Sequence, residues 1–160
     1  MTKPVVVIGA GPAGLACAAR LSAAGRPVWV IDDNPQAGGQ YFRQLPPGYA
    51  MASGARLQRE TERARLLLEA VRSPSVRYLP GTTAWAAPSS LTVAYAGPGG
   101  SGRVEAAALV LATGAQDRPM PFPGWTLPGV VGLAAATVLL KAHAVLPGRR
   151  VLVAGCGPLL

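Results

Sequence analysis

Charge, cysteine and aromatic side chains are all scarce in this chain. Of its 160 residues, 14% are Asp, Glu, Lys or Arg and 6% are Phe, Trp or Tyr, while half are apolar. A chain this poor in charge and rich in apolar groups is not disordered, and it is long enough to bury a core. The two cysteines, Cys17 and Cys156, lie far apart, and His143 is the only histidine. Neither a disulfide framework nor a metal-ligand cluster follows from such a set, and a reducing, cytoplasmic setting is the expectation. Long apolar runs are missing too. The uncharged stretch 120–140 carries three prolines in its first nine residues, which leaves it short of the ~20 continuous apolar residues of a membrane span. Near the N-terminus, Val5–Ile8 leads straight into a glycine turn, unlike a secretory signal.

Acidic residues number 7 against 15 basic ones, for a net charge of +8. Thirteen of the fifteen are arginine, and the positives are dispersed: four in 1–50, six in 51–80 and five in 81–160. No basic block with interleaved aromatics forms, so no nucleic-acid face is expected. A phosphate-rich cofactor accounts for part of the charge equally well.

What the chain has in abundance is glycine, at 20 positions, and their placement carries information. Val5, Val6, Val7 and Ile8 form a β-branched run suited to a central parallel strand buried on both faces. Gly9-Ala10-Gly11-Pro12-Ala13-Gly14 follows, then an alanine-rich helix from Leu15 to Ala24, closed by Gly25 and Pro27. A second strand, Val28–Ile31, ends at Asp32-Asp33. This order of strand, glycine turn, helix, strand and acid is the context that gives a G-x-G-x-x-G meaning. Gly9 permits the tight turn, Gly11 lets the backbone approach a pyrophosphate, and Gly14 lets the helix lie close to the strand. The helix N-terminus offers free N–H donors and partial positive charge to phosphates. Asp32 stands where a carboxylate accepts ribose hydroxyls, which disfavours a 2′-phosphate and points to FAD or NAD over NADP. Asp33 is the runner-up for that role.

A long loop, 34–50, carries Gly38-Gly39-Gln40-Tyr41-Phe42-Arg43. Its paired glycines argue for close backbone approach, and Gln40 and Arg43 offer amide and guanidinium donors. Gly54–Val71 reads as an amphipathic helix with Leu57, Thr61, Ala64, Leu68 and Val71 on one stripe. Its charges pair as Arg59 with Glu62 and Arg65 with Glu69 on a solvated face. Strands are expected at Val76–Leu79, around Thr82–Trp85, and at Leu91–Tyr95 and Arg103–Ala107 flanking a glycine-rich turn. Ala108–Leu111 is a further buried strand that ends in Ala112-Thr113-Gly114, small residues that can sit beneath a ligand. Proline-rich 120–128 is an extended connection, Gly132–His143 is an apolar helix, and 151–154 is a last strand running into Gly155-Cys156-Gly157. His143, at the end of that helix, reads as a structural residue or a favourable C-terminal cation.

Four segments, Val5–Gly14, Gly38-Gly39-Gln40, Ala112-Thr113-Gly114 and Gly155-x-Gly157, resemble in order and spacing the two-dinucleotide-domain flavoproteins of the pyridine-nucleotide disulfide oxidoreductase type. Gly38–Arg43, Gly81–Trp85, Ala112–Pro119, Pro121–Val130 and Gly155–Leu160 look like a narrower group: the FAD-binding subunits of opine oxidases, hydrogen cyanide synthase and hydroxyproline dehydrogenases, related to the sarcosine oxidase α subunit. The resemblance implies an α/β, Rossmann-like FAD domain with a parallel sheet and a small antiparallel hairpin, followed by the first strand of a second dinucleotide-binding domain. It implies that Gly9, Gly11, Pro12, Ala13 and Gly14 cradle the pyrophosphate of FAD and that Asp32 binds the adenosine ribose. Gly39, Gln40 and Arg43 would run along the pyrophosphate and ribityl chain, Ala84 would meet adenine through its backbone, and Ala112, Thr113 and Gly114 would make a second FAD contact. The domains would be 1–118 for FAD, lacking a C-terminal completing segment, 119–148 as connecting segment and helix, and 149–160 as the start of an NAD(P)-type domain at Gly155 and Gly157. The chain is thus read as the N-terminal piece of a longer protein, binding FAD weakly or not at all alone.

One departure bears on mechanism. Thioredoxin-reductase-like members carry a C-x-x-C before the second dinucleotide strand, where this chain has Gly132-Leu133-Ala134-Ala135-Ala136. Dithiol exchange needs two neighbouring thiols, so disulfide reduction is disfavoured. The expected activity is FAD-dependent oxidation of a secondary amine or imino acid, such as an opine, glycine or hydroxyproline, and the expected partner is a second flavoprotein subunit. An NAD(P)H-dependent flavin reductase and a non-functional truncated fragment are the alternatives.

Overall fold

The computed structural model describes residues 2–46, 48–49, 55–89 and 91–155, with backbone alone over 55–61. The chain divides into two units, Met1–Gln44 with Met51–Ala115, and Leu45–Ala50 with Gln116–Leu160.

In the first unit, β1 (Val5–Ile8), β2 (Val28–Ile31), β3 (Val76–Leu79) and β7 (Ala108–Leu111) form a parallel sheet in the order β3-β2-β1-β7. Each pair is in full register, with Val5 opposite Val28 and Ala108, and Val28 opposite Val76. The β-branched run of β1 is explained by burial on both faces. Val7 packs with Val28, Val30, Val76, Leu15 and Ala18 on one side, where α1 (Pro12–Ala23), α2 (Ala55–Leu68) and the 3₁₀ turn Glu69–Arg72 lie. Val6 packs with Ile31, Val93, Val104 and Ala106 on the other, beneath β4 (Thr83–Ser89), β5 (Thr92–Gly97) and β6 (Gly100–Glu105). Each such valine, leucine or isoleucine contributes about 1.5–3 kcal/mol by leaving water, so the central strand anchors both layers.

The predicted hairpin is larger than the sequence pattern suggested. β5 and β6 pair from Thr92↔Glu105 to Gly97↔Gly100, which leaves only Pro98-Gly99 in the turn, and β4 adds a third antiparallel strand. Helix α1 begins with Pro12, whose missing N–H costs nothing at that position. It stops at Gly25, whose φ of +70° lets Gly25 N–H reach Ser22 O and Arg26 N–H reach Leu21 O. Arg65 pairs with Glu62 on α2, and Arg72 with Glu69 within the 3₁₀ turn. Glu69 therefore takes a partner from the 3₁₀ turn, three residues on, in place of the expected Arg65; the Arg59 side chain lies outside the described residues.

In the second unit, α3 (Leu133–His143) follows a run of turns in which Trp125, Leu127 and Val130 donate to Phe122, Gly124 and Leu127. Residues 123–129 are therefore turned, not extended, with Gly124 at positive φ between Pro123 and Pro128 and Gly129 at positive φ just after them. Ala144, at φ +54°, closes α3, with His143 and Lys141 in its last turn. The strand expected at 151–154 does not form. A parallel strand is held by a neighbour's backbone, and among the described residues none pairs with this segment. Gly157 lies outside the described residues. No helix among the described residues is long and apolar enough to cross a membrane.

Candidate functional site

The glycine turn leaves β1 at its carboxyl end. Gly9 adopts φ +103° and donates to Ile31 O at 2.7 Å, tying the turn to β2. A Cβ on Gly9 would collide with the carbonyl of Ala112, coming within 2.8 Å of its carbon. A Cβ on Gly14 would collide with the carbonyl oxygen of Gly9 and lie 3.3 Å from a Val7 methyl. The protein's own backbone thus explains both glycines. Gly11 is different. Its φ of −73° suits any residue, and the nearest atom to a Cβ there would be Gly39 Cα at 3.9 Å. No steric contact with a described residue requires glycine at position 11.

Gly11 is also the N-cap of α1 and offers no side chain to cap it. The first helical bond runs from Leu15 N–H to Gly11 O at 2.9 Å. Ala13 and Gly14 precede that bond, so their amides are donors of the first turn, backed by the helix dipole. A bare Gly11 in front of two such donors makes room for an anionic group.

Asp32, at the end of β2, is 4% exposed. Its Oδ2 accepts the Ala10 N–H from the glycine turn, and its Oδ1 accepts the Asn34 N–H at 2.7 Å and Asn34 Nδ2 at 3.0 Å. The backbone of the same residues holds the chain entering β4: Thr82 N–H donates to Asp32 O at 2.8 Å and Gly81 N–H to Asn34 O at 2.9 Å. Asp33 receives Asn34 Nδ2 at 2.9 Å in an exposed position. The neighbouring Tyr78 phenol on β3 is pushed up to about 12, chiefly by burial and then by the charge of Asp32.

The paired glycines fold back over the turn. Gly38 N–H donates to Ala10 O at 2.8 Å, and a Cβ on Gly39 would come within 2.8 Å of Gly11 Cα. Gln40 Nε2 donates to Ala115 O, joining this loop to the segment after β7. Ala112 N–H donates to Ile8 O at 2.8 Å, and Thr113 and Gly114 follow it, exposed. Among the described residues, Arg43 Nε is enclosed without a hydrogen-bond partner. Gly9–Gly14, Asp32, Gly38–Gln40 and Ala112–Ala115 therefore meet at the carboxyl ends of β1, β2 and β7. Ala84 pairs with Tyr95 and is half-buried, packed against the cluster of Val6, Ile31, Val93, Val104 and Ala106. Sequence reasoning does not single out Asn34 or Thr82; the Asp-x-Asn spacing, which favours a side-chain-to-backbone turn, is the signal that marks the first.

Residues 3–159 match the family described as pyridine nucleotide-disulphide oxidoreductase. The chain belongs to that family. The A-type subunit of opine oxidase from Agrobacterium tumefaciens (strain Ach5) is 43% identical over 164 residues, which cover 98% of this chain and 32% of that protein. Hydrogen cyanide synthase subunit HcnB of Pseudomonas aeruginosa is 33% identical over 173 residues, 97% of this chain and 34% of that protein. The chain thus spans about a third of the length of these relatives. L-proline dehydrogenase from P. horikoshii superposes with a TM-score of 0.68 at 24% identity, over 93% of this chain and 30% of that one. That likeness shows the fold. As a member of the pyridine nucleotide-disulphide oxidoreductase family, the chain has the mixed α/β architecture expected from its motifs.

Proposed function

We propose that this chain is the FAD-binding part of an oxidoreductase subunit that serves the oxidation of a secondary amine or imino acid. The observation that carries the reading is Gly11, a glycine that no steric contact with a described residue requires, set between the α1 amides and Gly39. A side chain there would fill the space a pyrophosphate requires. Gly9, Gly11, Pro12, Ala13 and Gly14 would receive the pyrophosphate, and Asp32 the adenosine ribose. Gly39, Gln40 and Arg43 would line the path toward the flavin, with Arg43 Nε, unpartnered among the described residues, as a latent donor. Ala84 would offer backbone groups to adenine, and Ala112, Thr113 and Gly114 would close the far side.

When bound, FAD supplies acceptance of a hydride equivalent from the amine. The residues present do the rest by binding and orienting. In this reading 1–118 form most of the FAD domain, 119–148 the connection, and 149–160 the start of a second domain. The names of the relatives, subunits of opine oxidase, hydrogen cyanide synthase and sarcosine oxidase, support an amine or imino-acid substrate and a partner in the form of a second subunit. The absence of a thiol pair at 132–136 supports amine oxidation over disulfide reduction. A nicotinamide site at Gly155 and Gly157 forms no part of the proposal.

The test is purification of the full-length protein and titration with FAD. A yellow protein, or one that gains flavin absorbance on reconstitution, is expected, and Asp32→Ala should bind FAD at least tenfold more weakly. A protein that stays colourless after reconstitution overturns the cofactor reading; undiminished binding by Asp32→Ala overturns the ribose assignment.

A further inference from the structure

The Asp32 carboxylate is nearly filled before any ligand arrives. Its two oxygens offer about four acceptor directions. Three are taken: one by Ala10 N–H, one by Asn34 N–H at 2.7 Å and one by Asn34 Nδ2 at 3.0 Å. A ribose presents two vicinal hydroxyls, and holding both on one carboxylate takes two free directions. Only one remains.

The three donors differ in how readily they leave. Ala10 N–H is fixed by the glycine turn, whose Gly9 is bonded to Ile31 and whose Ala10 carbonyl is bonded to Gly38. The backbone of Asn34 is fixed through Gly81 N–H, which donates to its carbonyl at 2.9 Å. The Asn34 amide group, by contrast, leaves Asp32 by rotation about its own side-chain torsions, with no backbone movement. It already has a second acceptor, Asp33 Oδ1 at 2.9 Å, on the exposed side.

Resting on the assignment of the adenosine ribose to Asp32, we propose that Asn34 is an internal competitor for that subsite. Its amide occupies Asp32 Oδ1 in the empty site and moves onto Asp33 alone when a ribose diol binds. Asn34 thereby keeps a buried carboxylate satisfied in the empty protein and lowers affinity for ligands that need both hydroxyl contacts. A ligand with a single hydroxyl uses the one free direction and leaves Asn34 where it is. Asp33 is the parking acceptor that makes the exchange affordable.

The test compares wild type with Asn34→Ala and Asp33→Ala in the full-length protein. Binding of FAD and of its 2′-deoxyadenosine analogue is measured by fluorescence titration, and stability of the empty protein by denaturant unfolding. Loss of one competing hydrogen bond should make FAD bind roughly three- to tenfold more tightly to Asn34→Ala. The deoxy analogue should bind as to wild type, and the empty variant should unfold at lower denaturant. Asp33→Ala should shift FAD affinity the opposite way while sparing the analogue. Equal or weaker FAD binding by Asn34→Ala, or parallel loss for both ligands, overturns the proposal and reduces Asn34 to a turn residue. If Asn34→Ala does not fold, an unchanged FAD affinity in Asp33→Ala overturns it in turn. Wild type that binds neither ligand refutes the FAD assignment itself, a separate outcome.

Discussion

Gly14 faces the carbonyl of Gly9 so closely that a Cβ on Gly14 would collide with its oxygen and sit 3.1 Å from its carbon. The obstacle is backbone, which cannot rotate aside as a side-chain tip could. Gly14→Ala must therefore push α1 away from β1, opening the core that Val7, Leu15 and Ala18 share. Overpacking of this kind costs about 1–3 kcal/mol, and backbone obstruction places it at the upper end. Denaturant unfolding should show a clearly lowered midpoint for Gly14→Ala, with or without flavin.

Gly11→Ala should behave in the opposite way. The fold has space for the methyl, since the nearest atom would be Gly39 Cα at 3.9 Å, and the backbone there is extended. Stability should fall by no more than about 1 kcal/mol, the ordinary cost of alanine in place of glycine at an N-cap. FAD affinity should fall by roughly tenfold or more, because the methyl occupies the approach to the α1 amides. A variant that keeps wild-type affinity would leave Gly11 with no role in ligand approach.

The contrast between these two glycines also shows what sequence reading can reach. Both were legible as members of one motif, because β1, the turn, α1 and β2 are joined by short local connections whose periodicity and glycine spacing survive in one dimension. The acid at position 32 was legible for the same reason. That its carboxylate is shared with Ala10 and Asn34 was not, since the sharing depends on how the turn and the end of β2 come together in space. The last strand failed for the converse reason: 151–154 has the β-branched composition of a strand, but composition supplies no neighbour to bond with. The hairpin register and the Glu69 ion pair depended on alternatives of equal local merit: β6 starts at Gly100 where Arg103 was expected, and Glu69 has one arginine four residues before it and another three residues after.

Tyr78 makes stability depend on alkaline pH. Burial, then the charge of Asp32, push its phenol up to about 12 in the folded protein, while in the unfolded chain it ionises near the ordinary ~10. Between these values the unfolded state sheds a proton that the folded state retains. Stability contributed by this group is intact below pH ~10 and is lost as pH rises toward 12. Tyr78→Phe should remove that part of the decline. Because Tyr78 Oη has no hydrogen-bond partner among the described residues, the substitution should also be neutral or mildly stabilising at pH 7. Unfolding curves collected across alkaline pH check this, and parallel losses in wild type and variant would count against it.

Asp117 and Gly132 divide between them the task of starting α3. Gly132 is the N-cap and carries no side chain, while Asp117 Oδ2 accepts the Ala134 N–H at 2.8 Å from seventeen positions upstream. The carboxylate also brings negative charge to the positive end of the helix dipole. Asp117→Ala should therefore weaken the first turn of α3 by about 1 kcal/mol, and Asp117→Asn by less, since the acceptor survives without its charge. A capping side chain cannot simply be added beside Asp117, because a Cβ on Gly132 would stand 3.1 Å from Oδ2. Once that carboxylate is removed the space opens, and Gly132→Ser supplies a hydroxyl at the position that most favours one. Amide hydrogen exchange at Ala134 and Ala136 should accordingly quicken in Asp117→Ala and recover in the double variant, while Gly132→Ser alone gives no gain. Unchanged exchange in Asp117→Ala would mean that α3 starts without help from the upstream segment.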